Sequence, residues 1–219
     1  MMILIMLGAP GAGKGTLGKK LARMIGARYI TSGDVFRKLM EKDTELGREI
    51  KGYIEAGKLV PDELAIEIFM TKVLPKDLSR DIILDGYPRT KKQAEHFDKI
   101  LEEKKLSVTA TISLDVANEL IIDRLVNRRI CPECGEIYNL KYGKKPKQQG
   151  ICDDCGSKLI KRIDDNEKTV KDRLETYEVT TKPLVTYYRK QGKLKHIKAF
   201  ADTSVDELVQ TTLLELAKD

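Results

Sequence analysis

The sequence is poor in several residue types that commonly carry function. Its 219 residues include no tryptophan, 8 tyrosines, 4 phenylalanines and 2 histidines. The histidines, His96 and His196, have no evident carboxylate or metal partner, so we predict no catalytic or metal-binding role for them. No apolar run approaches the roughly 18 residues that span a bilayer, and no low-complexity tract indicates a disordered or fibrous chain. These absences leave a globular protein for which no membrane partner is expected.

The start of the chain lacks the features of a secretory leader. Its apolar stretch covers about seven residues, has no basic segment before it and runs directly into a glycine-rich loop. We therefore expect a cytoplasmic location, where reduced thiols favour metal binding over disulfides. A length of 219 residues predicts a single main core that can carry small insertions.

Charged residues are abundant, with 40 lysines and arginines against 34 aspartates and glutamates. The net charge of +6 suits an acidic ligand such as nucleic acid, a membrane surface or a nucleotide. Lysine and glutamate also interleave through the chain, as they do on a solvated surface rich in ion pairs. Charge alone therefore does not choose between these interpretations.

A glycine-rich loop follows the first predicted strand. Residues 3–7, ILIML, form a continuous apolar run that is typical of a strand buried on both faces of a parallel sheet. Residues 8–16, GAPGAGKGT, then lead into an amphipathic helix that Gly26 is predicted to end. Such a loop points backbone N–H groups and the positive end of a helix at one phosphate chain. We predict that it binds a nucleoside triphosphate, with Lys14 as a mobile cation and Thr16 as a hydroxyl for Mg2+.

Two later segments place polar residues at helix ends. In residues 29–38, YITSGDVFRK, a short strand gives way to a helix that Ser32 or Asp34 is expected to cap and that carries Arg37. In residues 55–69, EAGKLVPDELAIEIF, one helix is expected to end and another to begin. The two segments therefore predict helices after the second strand.

A further buried strand carries charge at its carboxyl end. In residues 81–90, DIILDGYPRT, Asp85 ends the apolar run and Arg89 follows four residues later. Open α/β sheets bind ligands at the carboxyl ends of their parallel strands. Asp85 is thus predicted beside the phosphate loop, where it can hold the water shell of Mg2+. Arg37 and Arg89 are placed to hold a second, smaller phosphate.

The four cysteines form two C-x2-C pairs, Cys131 with Cys134 and Cys152 with Cys155. Seventeen residues separate the pairs, a spacing that fits a tetrahedral zinc site. All four ligand positions are thiolates, so a structural metal is favoured over a catalytic one. A redox role is the alternative function, but no thioredoxin-like βαβ pattern surrounds either pair. Iron is the alternative metal, because thiolate sites also take it.

The segment around the cysteines, residues 128–165, is predicted to form a small insertion with short strands in EIYNLKY and SKLIKRIDD. It is too small for a core of its own, so the metal is expected to hold it together. Arg124 and Arg128 are four apart and are predicted to share one face of the helix that leads in. Arg162 and Arg173 follow the cysteines. Phosphoryl transfer needs positive charge around the transferred group, which these arginines can supply.

The order of these motifs resembles that of the adenylate kinase family. The shared motifs are GAPGAGKGT, SGDVFR, AGKLVPDEL, LDGYPRT, the RR before the cysteines, RIDDNEKTVKDRL and the YY at 187–188. Together they run from residue 3 to about residue 204. Gly15 separates the loop lysine from Thr16, unlike the generic phosphate loop, and this is the family's own form. Ser32 stands where many members carry threonine, which keeps the hydroxyl.

The resemblance implies an α/β P-loop fold in three layers, with a central parallel sheet flanked by helices, an AMP-binding helical flap and a small zinc-binding β lid. The core is expected over residues 1–30, 61–127 and 166–219, the flap over 31–60 and the lid over 128–165. The implied reaction is reversible, Mg2+-dependent phosphoryl transfer, ATP + AMP = 2 ADP, which serves adenine nucleotide homeostasis. Transfer is expected to be direct and in line, in a monomer whose flaps close to exclude water.

Site residues are implied by the same resemblance. The ATP set is Gly11, Ala12, Gly13, Lys14, Gly15, Thr16, Arg124, Arg128, Ile137 and Tyr138. The AMP set is Ser32, Arg37, Lys58, Leu59, Val60, Gly86, Tyr87, Pro88, Arg89, Gln93, Arg162 and Arg173. The catalytic set is Lys14, Arg89, Arg128, Arg162 and Arg173. Asp164 and Asp165 either order the waters of the metal or pair with arginines when the lid closes.

Two other functions are open at this point. Another nucleoside monophosphate kinase would act on UMP, CMP or GMP, but the long zinc lid and Gln93, whose amide can read an adenine edge, favour AMP. A nucleic-acid-binding P-loop ATPase would have aromatic residues among its basic ones and a helicase motif after the third strand. Neither feature is found, so no nucleic-acid partner is expected.

Overall fold

A central parallel sheet organises the computed structural model, which describes residues 1–74, 80–162, 164–200 and 203–218. The strands are β1 (Ile3–Leu7), β2 (Arg28–Thr31), β3 (Ile82–Asp85), β4 (Ala110–Asp115), β5 (Arg128–Ile130), β6 (Ile137–Asn139) and β7 (Leu194–Lys198). Among the described residues, five strands pair in parallel in the order β2-β3-β1-β4-β7, which confirms the predicted fold class. The predicted core and lid ranges also include residues 75–79, 163, 201–202 and 219, and that part of the prediction lies outside the described residues.

Helices flank the sheet. They are α1 (Lys14–Ile25), α2 (Ser32–Met40), α3 (Glu45–Glu55), α4 (Asp62–Ile68), α5 (Lys91–Glu103), α6 (Asn118–Val126), α7 (Glu167–Thr176), α8 (Pro183–Lys190) and α9 (Val205–Leu216). A π-helical turn extends α4 over Phe69–Val73, and another extends α7 over Tyr177–Thr181. Within the described residues, none of these helices combines the length and the apolar character that crossing a bilayer requires.

The apolar core lies on both sides of β1, as the uninterrupted run of apolar residues predicts. Successive side chains of a strand point to opposite faces. Ile3 and Ile5 accordingly belong to a cluster that includes residues of α2, α3, α4, α5 and α8. Leu4 and Met6 belong to a second cluster, which includes residues of α1, α6, α7 and α9. Burial on both faces fixes the carboxyl end of β1, from which the glycine loop continues.

The start of α2 differs from the prediction. Neither Ser32 nor Asp34 caps the helix. Thr31 has an extended backbone (φ −112°), and its hydroxyl accepts the backbone N–H of Asp34. Ser32 is therefore the first helical residue, and its buried side chain is free of the capping role.

The end of α6 also differs from the prediction that Arg124 and Arg128 share a helix face. The helix ends at Val126, and Arg128 is the first residue of β5. The side-chain amide of Asn127 donates to the carbonyl of Asp123 at 2.8 Å and satisfies an acceptor in the last turn. The chain therefore turns into the lid one residue before Arg128.

The lid contains less strand than predicted. β5 and β6 pair as an antiparallel hairpin, with Arg128 opposite Asn139. The segment SKLIKRIDD contributes isolated bridges at Lys158 and Ile160, in place of a continuous strand among its described residues. A small buried cluster of Cys131, Tyr138, Cys152 and Leu159 lies between these pieces.

Candidate active site

A cavity of about 1020 Å³ opens at the carboxyl ends of β1 and β3, between the α2–α3 arm and the lid. Every residue of the predicted ATP and AMP sets lines it, and so does Asp85. These residues come from segments that lie far apart in the sequence, so the fold brings the predicted site together. The structure gives their positions, and their contacts with nucleotides remain predictions.

The glycine loop fits closely against the neighbouring elements. A Cβ atom on Gly8 would lie 2.5 Å from the carbonyl oxygen of Leu114, and one on Gly11 would lie 2.7 Å from Leu125 Cγ. Both glycines also have φ in the left-handed region, at +142° and +82°. Larger residues at these positions would therefore displace the loop from the sheet.

Lys14 lies inside this loop at the start of α1. Its Nζ donates to the carbonyl oxygens of Gly8 at 2.7 Å and Ala9 at 2.9 Å. Burial lowers the pKa of the ammonium to about 8, with Arg89 and Arg173 acting in the same direction and Asp85 opposing them. A negatively charged ligand in the cavity would stabilise the ammonium and so offset the effects of burial and of the arginines on its pKa. The side chain is therefore suited to pair with a phosphate group.

Asp85 ends β3 and faces the same loop. Its Oδ2 accepts a 2.5 Å hydrogen bond from the hydroxyl of Tyr29, a residue that the sequence did not indicate as part of the site. No hydrogen bond to Oδ1 is present within the described part of the chain. Carboxylate and hydroxyl oxygens are the ligand atoms that Mg2+ prefers. Asp85 and the exposed Thr16 therefore fit a hydrated magnesium ion bound with a nucleotide.

The same cavity contains a second anion pocket around Arg89. Arg89 donates from Nη2 to Ser32 Oγ at 3.0 Å and from Nε to the Gly86 carbonyl at 2.8 Å. Arg37 donates to Asp34 Oδ1 at 2.6 Å. Burial, followed by the charge of Arg173, lowers the pKa of Arg89 to about 10. The pocket thus holds a buried guanidinium whose charge is poorly compensated and suits a phosphate monoester.

Gln93 lies at the base of this pocket and is 2% exposed. Its Oε1 accepts the backbone N–H of Arg89 at 2.8 Å, and its Nε2 donates to Asp62 Oδ1 at 2.8 Å. A primary amide has two N–H donors and two acceptor lone pairs. One donor and one acceptor therefore remain for the edge of a base.

Two ion pairs lie where the lid meets α7, one within the lid and one between the lid and α7. Arg128 makes a bidentate contact with the fully buried Asp165, at 2.8 and 2.5 Å, and Arg173 donates to Asp164 at 2.7 Å. Of the two roles predicted for these aspartates, the structure shows the pairing with arginines. Burial alone would raise the pKa of Asp164, but the charges of Arg173, Arg128 and Arg162 hold it below its ordinary value.

Arg162 is the least compensated arginine of this group. Its Nε is buried and has no hydrogen-bond partner among the described residues. Burial, followed by the charge of Arg128, lowers its pKa to about 10. Buried donors rarely stay without an acceptor, so this atom fits an anionic ligand in the cavity.

The lining of the cavity also includes lid residues that the sequence indicated and residues around the start of α9 that it did not. Ile137 Cδ1 lies 3.5 Å from where a Cβ on Gly15 would be, so the lid touches the phosphate loop. The hydroxyl of Tyr138 accepts the backbone N–H of Asp153, which commits this side chain to the lid interior. Thr203, Val205 and Leu208 also line the cavity, although the sequence did not indicate them. The sequence did indicate the start of α9 near these residues, because Ser204 begins a capping box soon after the last strand.

The four cysteines form a group whose Sγ atoms all lie within 4.8 Å of one another. The Sγ atoms of Cys131 and Cys155 are 3.3 Å apart and those of Cys134 and Cys152 are 3.6 Å apart, which is too long for disulfides. Thiolates around one zinc ion at about 2.3 Å, in tetrahedral geometry, are separated by roughly 3.8 Å. The donor set and its spacing therefore fit the predicted structural zinc ion.

The metal-binding turns also contact the core. Lys19, on α1, donates from Nζ to the carbonyl oxygen of Gly135 at 2.7 Å. Gly135 directly follows the first cysteine pair, and its φ of +71° lies in the left-handed region. This contact joins the helix of the phosphate loop to the metal-binding turn of the lid.

Comparison with known proteins gives consistent matches. A family model described as adenylate kinase matches residues 6–193. An adenylate kinase of Thermotoga petrophila is 46% identical over 198 residues, which cover 90% of each chain. An adenylate kinase of Caldanaerobacter subterraneus subsp. tengcongensis is 44% identical over 209 residues, covering 95% of this chain and 93% of the relative. One of Clostridium tetani is 45% identical over 193 residues, covering 88% and 89%.

Together with the geometry of the cavity, these matches show that the protein is a nucleoside monophosphate kinase built on a P-loop. Within that class, the chain belongs to the adenylate kinase family. The resemblance drawn from the motifs is thereby confirmed. Phosphoryl transfer between adenine nucleotides is the reaction for which the family is named.

Proposed function

We propose that this enzyme catalyses ATP + AMP = 2 ADP reversibly and with Mg2+, by direct in-line phosphoryl transfer. The observation that carries the proposal is the shared cavity, which both the phosphate loop and the Arg89 pocket line. Membership of the adenylate kinase family supports the choice of adenine nucleotides. A role in adenine nucleotide homeostasis follows from this reaction.

The three predicted parts have separate tasks in this proposal. The core, residues 1–30, 61–127 and 166–219, holds the phosphates, the flap of residues 31–60 closes over AMP, and the lid of residues 128–165 closes over ATP. The ATP set and the AMP set inferred from the sequence are the proposed ligand contacts. Both sets line the same cavity, which supports the binding of two nucleotides at once.

The transfer step requires no covalent change in the protein. Arg37 and Arg89 hold the AMP phosphate, one oxygen of which attacks the γ-phosphorus of ATP. The new P–O bond forms as the β–γ bridging P–O bond breaks, so that ADP remains at both ends. Lys14, the lid arginines Arg128 and Arg162, and Arg173 of α7 neutralise the charge that spreads over the transferred oxygens.

Magnesium and zinc have different tasks. Bound with ATP, Mg2+ would supply charge neutralisation around the transferred phosphoryl group. Asp85 would hold its waters, and Thr16 would offer it a hydroxyl oxygen. Zinc on the four cysteines maintains the fold of the lid and takes no part in the chemistry.

Closure of the flap and lid excludes water, which would otherwise accept the phosphoryl group. Adenylate kinases are themselves a standard example of such closure. The contacts of Lys19 with Gly135 and of Arg173 with Asp164 join lid and core, which supports closure of the lid. We further propose that the enzyme is a cytoplasmic monomer whose partners are ATP, AMP and ADP, without nucleic acid or a membrane.

A coupled assay of ADP formation tests the proposal. ATP and Mg2+ are supplied with AMP, GMP, UMP or CMP as the acceptor. We expect strong preference for AMP, because Gln93 offers one donor and one acceptor to an adenine edge. Preference for another base would keep the mechanism and change the acceptor. ATP hydrolysis that ignores every monophosphate would contradict the kinase proposal.

A further inference from the structure

Tyr29 lies between the phosphate loop and Asp85 without belonging to any of the predicted residue sets. It is on β2, next to β3 in the sheet, and Thr31 of β2 pairs in parallel register with Asp85 of β3. The Tyr29 hydroxyl reaches Asp85 Oδ2 at 2.5 Å and lies 3.7 Å from where a Cβ on Gly15 would be. Tyr29 also lines the nucleotide cavity. The hydroxyl is therefore at the point where loop, carboxylate and cavity meet.

The ring of Tyr29 occupies space that a missing side chain provides. A Cβ on Gly18 would lie 2.4 Å from Cε2 of Tyr29. Gly18 is inside α1, where glycine costs about 0.5–1 kcal/mol relative to alanine. The close approach of the ring gives a physical reason for glycine at this position, and it holds the ring in one orientation.

In this hydrogen bond Tyr29 is the donor and Asp85 is the acceptor. A tyrosine hydroxyl is protonated near neutral pH, and an ionised carboxylate can only accept. The phenol therefore stays protonated and donates to the carboxylate. With Oδ2 occupied in this way, the rotation of the carboxyl group is restricted and Oδ1 stays available to a water molecule.

We propose that Tyr29 is a positioning residue, which orients the Asp85 carboxylate so that Oδ1 receives the water shell of the magnesium–triphosphate complex. This inference rests on the proposed role of Asp85. Tyr29 itself touches neither the metal nor the reacting atoms in this proposal. Its effect is on how strongly the enzyme distinguishes metal-bound ATP from free ATP.

The substitution Tyr29→Phe tests the inference, because it removes the hydroxyl and keeps the ring in its space beside Gly18. We expect the Mg2+ concentration for half-maximal rate to rise about tenfold, which corresponds to one hydrogen bond to a charged group. The rate at saturating Mg2+ should stay close to that of the parent enzyme. Calorimetric titration with ATP, in Mg2+ and in EDTA, should show an about tenfold smaller preference for the metal complex.

Tyr187→Phe is the matched control. Its hydroxyl also donates to an aspartate, Asp98, at 2.8 Å, but it is not among the residues that line the nucleotide cavity. We expect this variant to affect the unfolding temperature alone. If Tyr29→Phe behaved in the same way, with Mg2+ dependence and metal preference unchanged, the positioning role would be overturned.

A double-mutant cycle with Asp85→Asn separates the inference from a general structural effect. In the Asp85→Asn background, adding Tyr29→Phe should not reduce the preference for metal-bound ATP further. Additive reductions would contradict a role that acts through Asp85. Failure of the parent enzyme to transfer phosphate to AMP would instead contradict the proposed function, so the two failures are distinguishable.

Discussion

The phosphate loop and the zinc lid lie on the same cavity but are stabilised by different means. The loop continues from a strand buried on both faces, and its glycines fit against Leu114 and Leu125. Among the described residues of the lid, the buried cluster contains Cys131 and Cys152 with two other residues, Tyr138 and Leu159. Lys144 supplements that cluster, pairing with Glu136 at 2.8 Å and lying 4.8 Å from the centre of the Tyr138 ring.

The loop and the lid therefore differ in which of their residues serve stability and which serve the reaction. In the proposed mechanism, the charged side chain of the loop serves the reaction, while glycines and the apolar strand maintain the fold of the loop. In the lid, the proposed metal ligands would maintain the fold, and the arginines near its base would serve the reaction. Substitutions should therefore change activity without stability in the loop, and stability before activity in the lid.

The largest expected effect on activity is that of Lys14→Met. Loss of one preorganised cation should lower kcat about 10²–10³-fold. The unfolding temperature should stay equal or rise, because the substitution removes an ammonium whose pKa burial lowers. Steady-state kinetics and thermal unfolding of the same samples provide the measurement.

Lys20→Met is the control for this variant. Lys20 is on the same helix and pairs with Asp206 on the surface, away from the cavity. It should leave kcat unchanged. If Lys14→Met lost stability in proportion to activity, the separation inferred for the loop would be wrong.

The next largest effect is expected from removal of the lid metal. Chelation, or the substitution Cys152→Ser, should lower the unfolding temperature by roughly 10 °C, since a structural metal contributes folding free energy directly. Freshly stripped enzyme should still turn over at low temperature. Calorimetry and an activity assay at matched times test this.

Asp154→Ser provides a control in the same turn. Asp154 lies between Cys152 and Cys155, is exposed and pairs with Lys144 at 3.5 Å, so its loss should change little. Immediate and equal loss of stability and turnover on chelation would mean that the metal serves the chemistry as well.

A smaller effect is expected from pH, and it should have opposite signs for activity and stability. In the proposed mechanism Lys14 binds phosphate when protonated, and burial lowers the pKa of its ammonium to about 8. The kcat/KM for ATP should therefore be constant just below pH 8 and fall about tenfold per unit above it. Between pH 8 and the ordinary lysine value of 10.5, the unfolded chain binds more protons than the folded one, so stability should rise with pH.

The difference between the parent enzyme and Lys14→Met isolates this contribution. The rise in stability from about pH 8 should be smaller in the variant, as measured by denaturant unfolding at several pH values. Identical slopes in the two proteins would show that Lys14 has an ordinary pKa.

The smallest effect is expected from Lys19→Met, which removes the hydrogen bond to the Gly135 carbonyl. Loss of one partly exposed contact should raise the KM for ATP about two- to threefold and leave kcat close to the parent value. Lys20→Met again serves as the control, since its partner is on α9 and not on the lid. An unchanged KM would mean that the contact does not contribute to closure.

Local signals made most of the core site predictable. The phosphate loop was identifiable because its glycines, Lys14 and Thr16 are contiguous and are bounded by a strand and a helix. The cysteines were identifiable because their spacing alone fits a tetrahedral site. These patterns need no knowledge of which distant segments meet.

The features that the sequence did not predict depend on tertiary register or on competition between neighbours. Tyr29 meets Asp85 because β2 and β3 pair in parallel, which no local pattern encodes. Thr31, Ser32 and Asp34 are all good capping residues, and only the backbone geometry selects Thr31. Arg128 lies outside α6 because the helix ends before it, where the Asn127 side chain donates to the carbonyl of Asp123. Helix ends are poorly specified by sequence.

The contact between Lys19 and Gly135 should couple the binding of zinc to the binding of adenine nucleotides. A nucleotide that draws the lid onto the core also holds the Gly135 turn, and with it Cys131 and Cys134, around the metal. Linkage is reciprocal, so a ligand that favours the metal-bound lid is itself bound more tightly when the metal is present. ATP should therefore slow the escape of zinc to a chelator, and a cell short of zinc would lose this enzyme fastest when its ATP is also low.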